Sequence, residues 1–393
     1  MQIGSFKFDR VEFAGSLGDL GTLIPLSLAM MIFNGLSVTT VFMMVGLFYL
    51  YGGLYFKLPI PVQPLKVVAA LAIAAPEKIT VEVIAAAGII FGVFLLFLAF
   101  TGIIDKIAKF FTKPVVRGIQ LGLGLILGGK GIDLILKNNM FINDNSSVFT
   151  YFGINGNTVT GVIFFVVTFL LLTNKRFPAA IVTVVSGIII GLIWGTYDFT
   201  GFYPGPSEVK VYIPTMDNFQ NALFYLVLPQ IPLTIGNAII GTNDACFTLF
   251  GSDLKNVSNR AFSFSMGIVN VLTGFIGGMP MCHGAGGLAA HHRFGARTGG
   301  SNLMIGIVFI AIALFLGGWG IKFLSLIPNA IFGVLLTFAG IELALLVRDL
   351  NEKNDLFIAV FVAIVGFATK NMGIAFVCGF VAAYLIKQFR IEL

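Results

Sequence analysis

The side chains here that could do chemistry gather in two irregular stretches. One is Gly277-Gly278-Met279-Pro280-Met281-Cys282-His283-Gly284-Ala285-Gly286-Gly287-Leu288-Ala289-Ala290-His291-His292-Arg293-Phe294-Gly295-Ala296-Arg297-Thr298-Gly299-Gly300; the other is Leu58-Pro59-Ile60-Pro61-Val62-Gln63-Pro64-Leu65-Lys66. Pro280 holds Met279 extended, so a helix begins only near Gly284 and runs to about Ala296. The amides of Gly284, Ala285, Gly286 and Gly287 are then left without intrahelical partners at an end of partial positive charge. That is an anion's environment. In the other stretch three prolines force an extended chain, with Pro64 in the first turn of the helix that follows. Gln63 supplies a neutral donor or a helix cap. Lys66, costly in lipid, faces a cavity as counter-charge to an anion or pairs with an acid.

Four further polar residues belong with these. Thr22 is a hydroxyl donor one turn after Asp19. Among Asn237, Asn243 and Asp244, the neutral amide of Asn237 suits an anion better than a carboxylate does. Asp19, His283 and Asp244 are the candidates for carrying a proton, since a histidine titrates near pH 6.5 and an acid at membrane depth needs a partner or a proton. For Asp19 the alternative is a structural bond to a half-helix amide or to Lys66; for His283, packing with a bond to a carbonyl. His291, His292, Arg293 and Arg297 read as a solvated cytoplasmic face, and Lys130 with Asp133 as an ion pair. A metal held by His283, His291 and His292 fails, because adjacent helical residues point about 100° apart and the spacing matches no zinc pattern. No metal, no cofactor and no enzymatic activity are expected.

The elements that must position these groups are membrane spans. Of 393 residues 57% are hydrophobic and only 11% charged, against about 25% in soluble domains. Apolar runs recur from Val11 to Ile386, each long enough for a hydrocarbon core about 30 Å thick. The first is too long for a signal peptide. The three cysteines, Cys246, Cys282 and Cys378, read as small membrane-helix residues without disulfides. The expected spans are 11–33, 37–56, 58–75, 81–102, 115–136, 158–173 and 178–197, then, after a polar stretch from Asp198 to Asp217, 219–250, 259–277, 278–298, 300–318, 321–347, 355–369 and 371–388. The chain is thus an all-α polytopic membrane protein of 14 transmembrane segments. Each half holds an odd number, so the two repeats must be inverted. Segments 3 and 10 are each a short extended stretch plus a half-helix, and irregular segments at matching positions of two halves mark a transporter's binding site.

With both termini cytoplasmic, most Lys and Arg fall inside. Only Lys78, Lys137, Lys210, Lys322 and Lys370 fall outside, with Lys66 and Lys130 within spans. Residues 104–116, with Asp105, Lys106, Lys109 and Lys113, read as an amphipathic surface helix. The net charge of +6 is spread over loops and reflects membrane orientation, with no nucleic-acid partner implied. No nucleotide-binding loop is present, so transport draws on an ion gradient or the substrate's own.

Ser16-Leu17-Gly18-Asp19-Leu20-Gly21-Thr22-Leu23-Ile24-Pro25, Pro61-Val62-Gln63-Pro64-Leu65-Lys66, Val115-Val116-Arg117-Gly118-Ile119-Gln120-Leu121 and Pro280 to Gly300 resemble the molybdate transporter family of the sulfate permease superfamily. The resemblance implies the inverted-repeat fold shared with uracil permeases and no cytoplasmic regulatory domain. It also implies a core domain of residues 1–103 and 218–320 working against a gate domain of residues 104–217 and 321–393. The substrate would sit between the two half-helices, contacting Gln63, Pro64, Lys66, Thr22, Asn237, His283, Gly284, Ala285, Gly286 and Gly287. The expected activity is secondary transport of a tetrahedral oxyanion, molybdate before sulfate, with proton symport through Asp19, His283 or Asp244. A passive anion channel is the alternative on the same fold. The expected setting is the cell membrane, where two chains could pair as a homodimer. His291-His292, Leu65 and Ile235-Gly236-Asn237-Ala238 depart from the family pattern, which bears on substrate preference.

Overall fold

The computed structural model describes residues 2–107, 112–141, 150–151, 154–172, 178–195 and 204–391; Lys109, Lys175, Arg176 and the ends of two expected elements, 108–111 and 198–203, lie outside the described residues. The expected first span is a bent pair, α1 (Arg10–Ser16) and α2 (Leu20–Asn34), meeting at 48° across Leu17, Gly18 and Asp19. At the bend the backbone packs closely, and a Cβ on Gly18 would lie 2.9 Å from the Ala290 carbonyl oxygen. Next comes α3 (Val38–Phe56), capped by the Ser37 hydroxyl on the Thr40 amide. After the proline-rich segment come α4 (Lys66–Ala74), α5 (Val81–Thr101), α6 (Ile104–Ile107), α7 (Lys113–Leu136), α8 (Gly156–Leu171) and α9 (Ala179–Trp194).

The second half opens with α10 (Met216–Phe250), a 35-residue helix that widens into π-helical turns at Ala222–Val227 and Thr234–Gly241. Then follow α11 (Asn259–Phe275), α12 (Ala285–Phe294), α13 (Gly299–Leu316), α14 (Gly320–Ser325), α15 (Asn329–Ala344), α16 (Lys353–Thr369) and α17 (Met372–Phe389). The expected twelfth span is divided, because Pro328 sits at the amino cap of α15 and ends the preceding turn. Among the described residues, seven helices are long and apolar enough to cross a bilayer, or eight with α1 and α2 as one. At nine and ten residues, α4 and α12 are too short to cross alone.

Glycines set the main helix contacts. A Cβ on Gly92 of α5 would lie 2.7 Å from the Gly267 carbonyl oxygen of α11, and one on Gly306 of α13 2.9 Å from that of Gly46 on α3. In a second group, a Cβ on Gly340 of α15 would lie 2.6 Å from the Gly124 oxygen of α7. Small residues at such crossings let backbones approach where lipid supplies no hydrophobic drive.

The two irregular stretches lie side by side. Gln63–Pro64 pairs antiparallel with Met281–Cys282, and the Leu65 amide donates to the Pro280 carbonyl at 2.9 Å. Pro64 therefore belongs to the extended pair, and α4 starts two residues later than its expected first turn. Three consecutive carbonyls of the proline stretch receive donors from the second half. His291 Nδ1 lies 2.9 Å from Pro59 O, Asn302 Nδ2 2.7 Å from Ile60 O, and His283 Nδ1 2.9 Å from Pro61 O. Irregular backbone at this depth is stable because protein replaces the missing water. Asn302→Leu leaves the Ile60 carbonyl buried without its donor, so it lowers stability by about 1–3 kcal/mol, read as a reduced Tm.

Candidate functional site

The site grows from the amino end of α12. Gly284 is the cap residue and has no side chain to bond the turn above it. The first amides of the helix, on Ala285, Gly286 and Gly287, therefore have no acceptor within it. Gly286 is exposed, and a Cβ there would meet nothing within 4 Å. Gly287 is buried, and its Cβ would lie 2.6 Å from Asp19 Oδ2 and 2.7 Å from Gln63 Nε2. At Gly284 a Cβ would run into Gln63 Oε1.

Beneath that turn lies a buried polar pair. Gln63 Nε2 donates to both carboxylate oxygens of Asp19, at 2.9 and 2.8 Å. Gln63 Oε1 is buried with no hydrogen-bond partner. Asp19 stands at the bend between α1 and α2, and Thr22 lies beside its carboxylate, half-buried. Lys66 and Glu342 are close enough to interact electrostatically with Asp19 and with each other. Lys66 is half-buried at the first position of α4 and makes no salt bridge among the described residues.

The amino end of α4 is only partly open. Its Val67 amide donates to Gln230 Oε1 at 2.9 Å, and Gln230 Nε2 donates to the Thr234 hydroxyl at 2.9 Å. Gln230 comes from α10, as does Asn237, which sits half-buried in the π-helical turns. Such turns recur at functional sites because they splay side chains that a regular helix would stack. In this region a Cβ on Gly241 would lie 3.5 Å from the Ala285 side chain, so α10 flanks the same helix end. Gly21 and Gly236 are exposed and unobstructed, which leaves open space on that flank.

Gln63 and Asp19 thus lie against Gly284 and Gly287 at this helix end, with Thr22 and Lys66 within reach of Asp19, Pro64 in the extended pair beside it, and α10, which carries Asn237, on the flank of Ala285. Four expectations change. His283 Nδ1 donates to the Pro61 carbonyl, its Nε2 lies 3.0 Å from Ser265 Oγ, and its ring is enclosed by Phe48, Phe56 and Phe262. Both nitrogens are engaged by the framework, so His283 holds the proline stretch in place and is no contact for an anion. Asp244 is exposed beyond the π-helical turns and joins none of these contacts. His291, expected on a solvated face, is fully buried on Pro59; Lys130 lies over the Phe33 ring at 6.0 Å, apart from Asp133. His283→Phe accordingly lowers Tm and expression while the pH profile of the surviving protein stays that of the unaltered chain, as a pH-stat titration would show.

Gln230 is not among the residues to which the sequence points. For Gln230 a signal existed, a buried-type polar residue between Pro229 and Pro232 in an apolar run. Glu342 reads as a span-end acid, and only the packing of α15 brings it toward Lys66.

A family profile described as a molybdate transporter of the MFS superfamily matches residues 11–127 and 222–343. Over 406 residues the chain is 32% identical to Molybdate transporter 2 of Arabidopsis thaliana, covering 96% of this chain and 87% of that one. Among solved structures, the transmembrane domain of the cyanobacterial bicarbonate transporter BicA superposes with a TM-score of 0.68 at 17% identity, over 94% of this chain and 97% of that one. Murine Slc26a9, an anion transporter captured inward-facing, also gives 0.68 at 17% identity, over 100% of this chain and 70% of that one. The fold is therefore that of these anion transporters.

Proposed function

From the molybdate transporter family, to which this chain belongs, we propose a secondary transporter of a tetrahedral oxyanion, with molybdate the preferred cargo. The observation that carries the reading is the amino end of α12, where the amides of Ala285, Gly286 and Gly287 have no acceptor within the helix and a Cβ on exposed Gly286 would meet nothing within 4 Å; we place Lys66, Thr22 and Asn237 as the neighbouring donors. A dianion there meets partial positive charge, one full positive charge and neutral donors.

The architecture we propose has fourteen segments in two inverted repeats, with α4 and α12 as the helical parts of segments 3 and 10. Residues 1–103 and 218–320 form the core, and residues 104–217 and 321–393 the gate. The close crossings of α3 with α13 and α5 with α11, against those of α7 with α15, support this division. Movement of core against gate exposes the site to each side in turn. Both termini face the cytoplasm of the cell membrane on the positive-inside pattern. Proton symport fits the site, because Asp19 lies beneath the amino end of α12 and an acid at membrane depth needs a partner or a proton. By linkage, proton and anion then favour each other, and lower pH tightens binding.

Binding of molybdate, tungstate, sulfate and phosphate to the purified chain tests this reading. Molybdate and tungstate should compete with each other at similar concentrations, while sulfate should need more. Equal competition by sulfate would make the carrier a general one. Currents that scale ohmically with voltage and show no saturation would make it a channel.

A further inference from the structure

The Gln63 amide is assembled in a way that oxyanion binding alone does not explain. Its nitrogen is spent on Asp19, donating to both carboxylate oxygens, at 2.9 and 2.8 Å. Its oxygen, buried and without a hydrogen-bond partner, lies against Gly284 at the amino end of α12. An acceptor there suits an empty site, where it faces the positive end of a helix. The same acceptor opposes an oxyanion arriving at that point. A buried polar atom left without a partner costs about 1–3 kcal/mol, so it calls for an explanation.

We propose that Gln63 is a proton-gated donor: when Asp19 takes up a proton, the amide turns over, accepts the new Asp19 hydroxyl through Oε1, and presents Nε2 to an oxyanion at α12. The proton count closes within the pair. Ionised Asp19 can only accept, so it holds Nε2. Protonated Asp19 has one hydrogen to donate, and of the two amide atoms only Oε1 can receive it. The freed Nε2 then occupies the place where Oε1 was, converting a repelling atom into a donor. A terminal amide torsion is roughly two-fold, so both states have nearly the same shape. The missing side chains at Gly284 and Gly287 leave the amide its space, since a Cβ at either would touch it.

The charged and titratable groups around Asp19 are Lys66 of α4, Glu342 of α15, Tyr49 of α3 and Cys282 of the extended pair. Lys66 and Glu342 change the field at Asp19 but make no hydrogen bond to it. The coupling between proton and anion runs through Gln63, which alone among these neighbours bonds both carboxylate oxygens.

This proposal rests on the oxyanion reading above, and the test separates the two. Molybdate binding to the purified full-length chain is measured from about pH 7.5 to about pH 5.5, with proton uptake followed in weak buffer. The unaltered chain should bind about tenfold tighter at the acid end, the value of one charge-assisted hydrogen bond, and take up a proton per anion. Asp19→Asn offers a permanent N–H to Gln63 Oε1, so it should bind tightly at both ends without proton uptake. Gln63→Leu should bind weakly with a flat profile. Because that change strands a buried carboxylate, Asp19→Asn with Gln63→Leu is made beside it, and it too should be weak and flat.

If Gln63→Leu keeps the full pH dependence, or if the double variant binds as tightly as Asp19→Asn, the turning amide is wrong and the coupling is direct repulsion. A flat profile in the unaltered chain also overturns it. If the unaltered chain binds none of the four oxyanions at any pH, the transport reading itself fails.

Discussion

Gly287→Ala should reduce molybdate uptake by roughly a hundredfold in proteoliposomes while the protein still inserts and purifies. The added methyl would fall 2.6 Å from Asp19 Oδ2 and 2.7 Å from Gln63 Nε2, atoms that already bond each other. Both residues are buried, at 5% and 2% exposure, so neither can retreat into solvent. Forced overpacking costs about 1–3 kcal/mol and a lost hydrogen bond to a charge about as much again, which together correspond to roughly thirtyfold to ten-thousandfold in binding. Gly286→Ala is the comparison. Its methyl enters open space, so it should lose far less activity and no stability. Equal losses from the two neighbours would mean that room for the cargo, and not the Asp19–Gln63 contact, decides the effect.

Lys66→Gln should weaken oxyanion binding by about tenfold to a hundredfold, again measured as equilibrium binding of molybdate. The side chain is half-buried, opens α4 and has two acids within electrostatic reach. Without it, a dianion would enter a region whose remaining full charges are negative. Raising ionic strength should weaken the unaltered chain more than the variant, because screening acts on the charge that the variant lacks. Lys66→Arg keeps the charge but broadens it over a planar fork, and it should fall between the two. Unchanged affinity in Lys66→Gln would move the ammonium out of the site and leave the amides as the only attraction.

The prolines and glycines made most of the site legible before any coordinates. Pro59, Pro61 and Pro64 permit an extended chain and little else, and Pro280 ahead of a glycine run does the same in the second half. The place where α12 begins follows directly. What the sequence could not give was partnership. Nothing in the spacing of Gln63 and Asp19, which lie in different segments, says that one amide would serve both oxygens of one carboxylate. His283 and His291 carry the residue type most associated with titration, yet each is fixed by a proline carbonyl more than two hundred positions away. Long-range satisfaction of backbone groups is invisible to periodicity. The bend at Leu17, Gly18 and Asp19 lies within one expected span, and the close approach of Ala290 to Gly18 there is a long-range contact that periodicity does not carry. Apolar length placed the long helices well, whereas the break before α15 depended on Pro328, a single residue inside an apolar run.

The three carbonyls at Pro59, Ile60 and Pro61 bear on how the chain is made. Their donors, His291, Asn302 and His283, follow 232, 242 and 222 positions later. Ribosomal synthesis delivers the proline stretch to the bilayer long before those donors exist, so the first half must wait with its polar backbone held by water, an insertase or a chaperone. Assembly is complete only after the second half threads in beside it. A gene cut between the halves should therefore give two pieces that are unstable apart and functional when produced together.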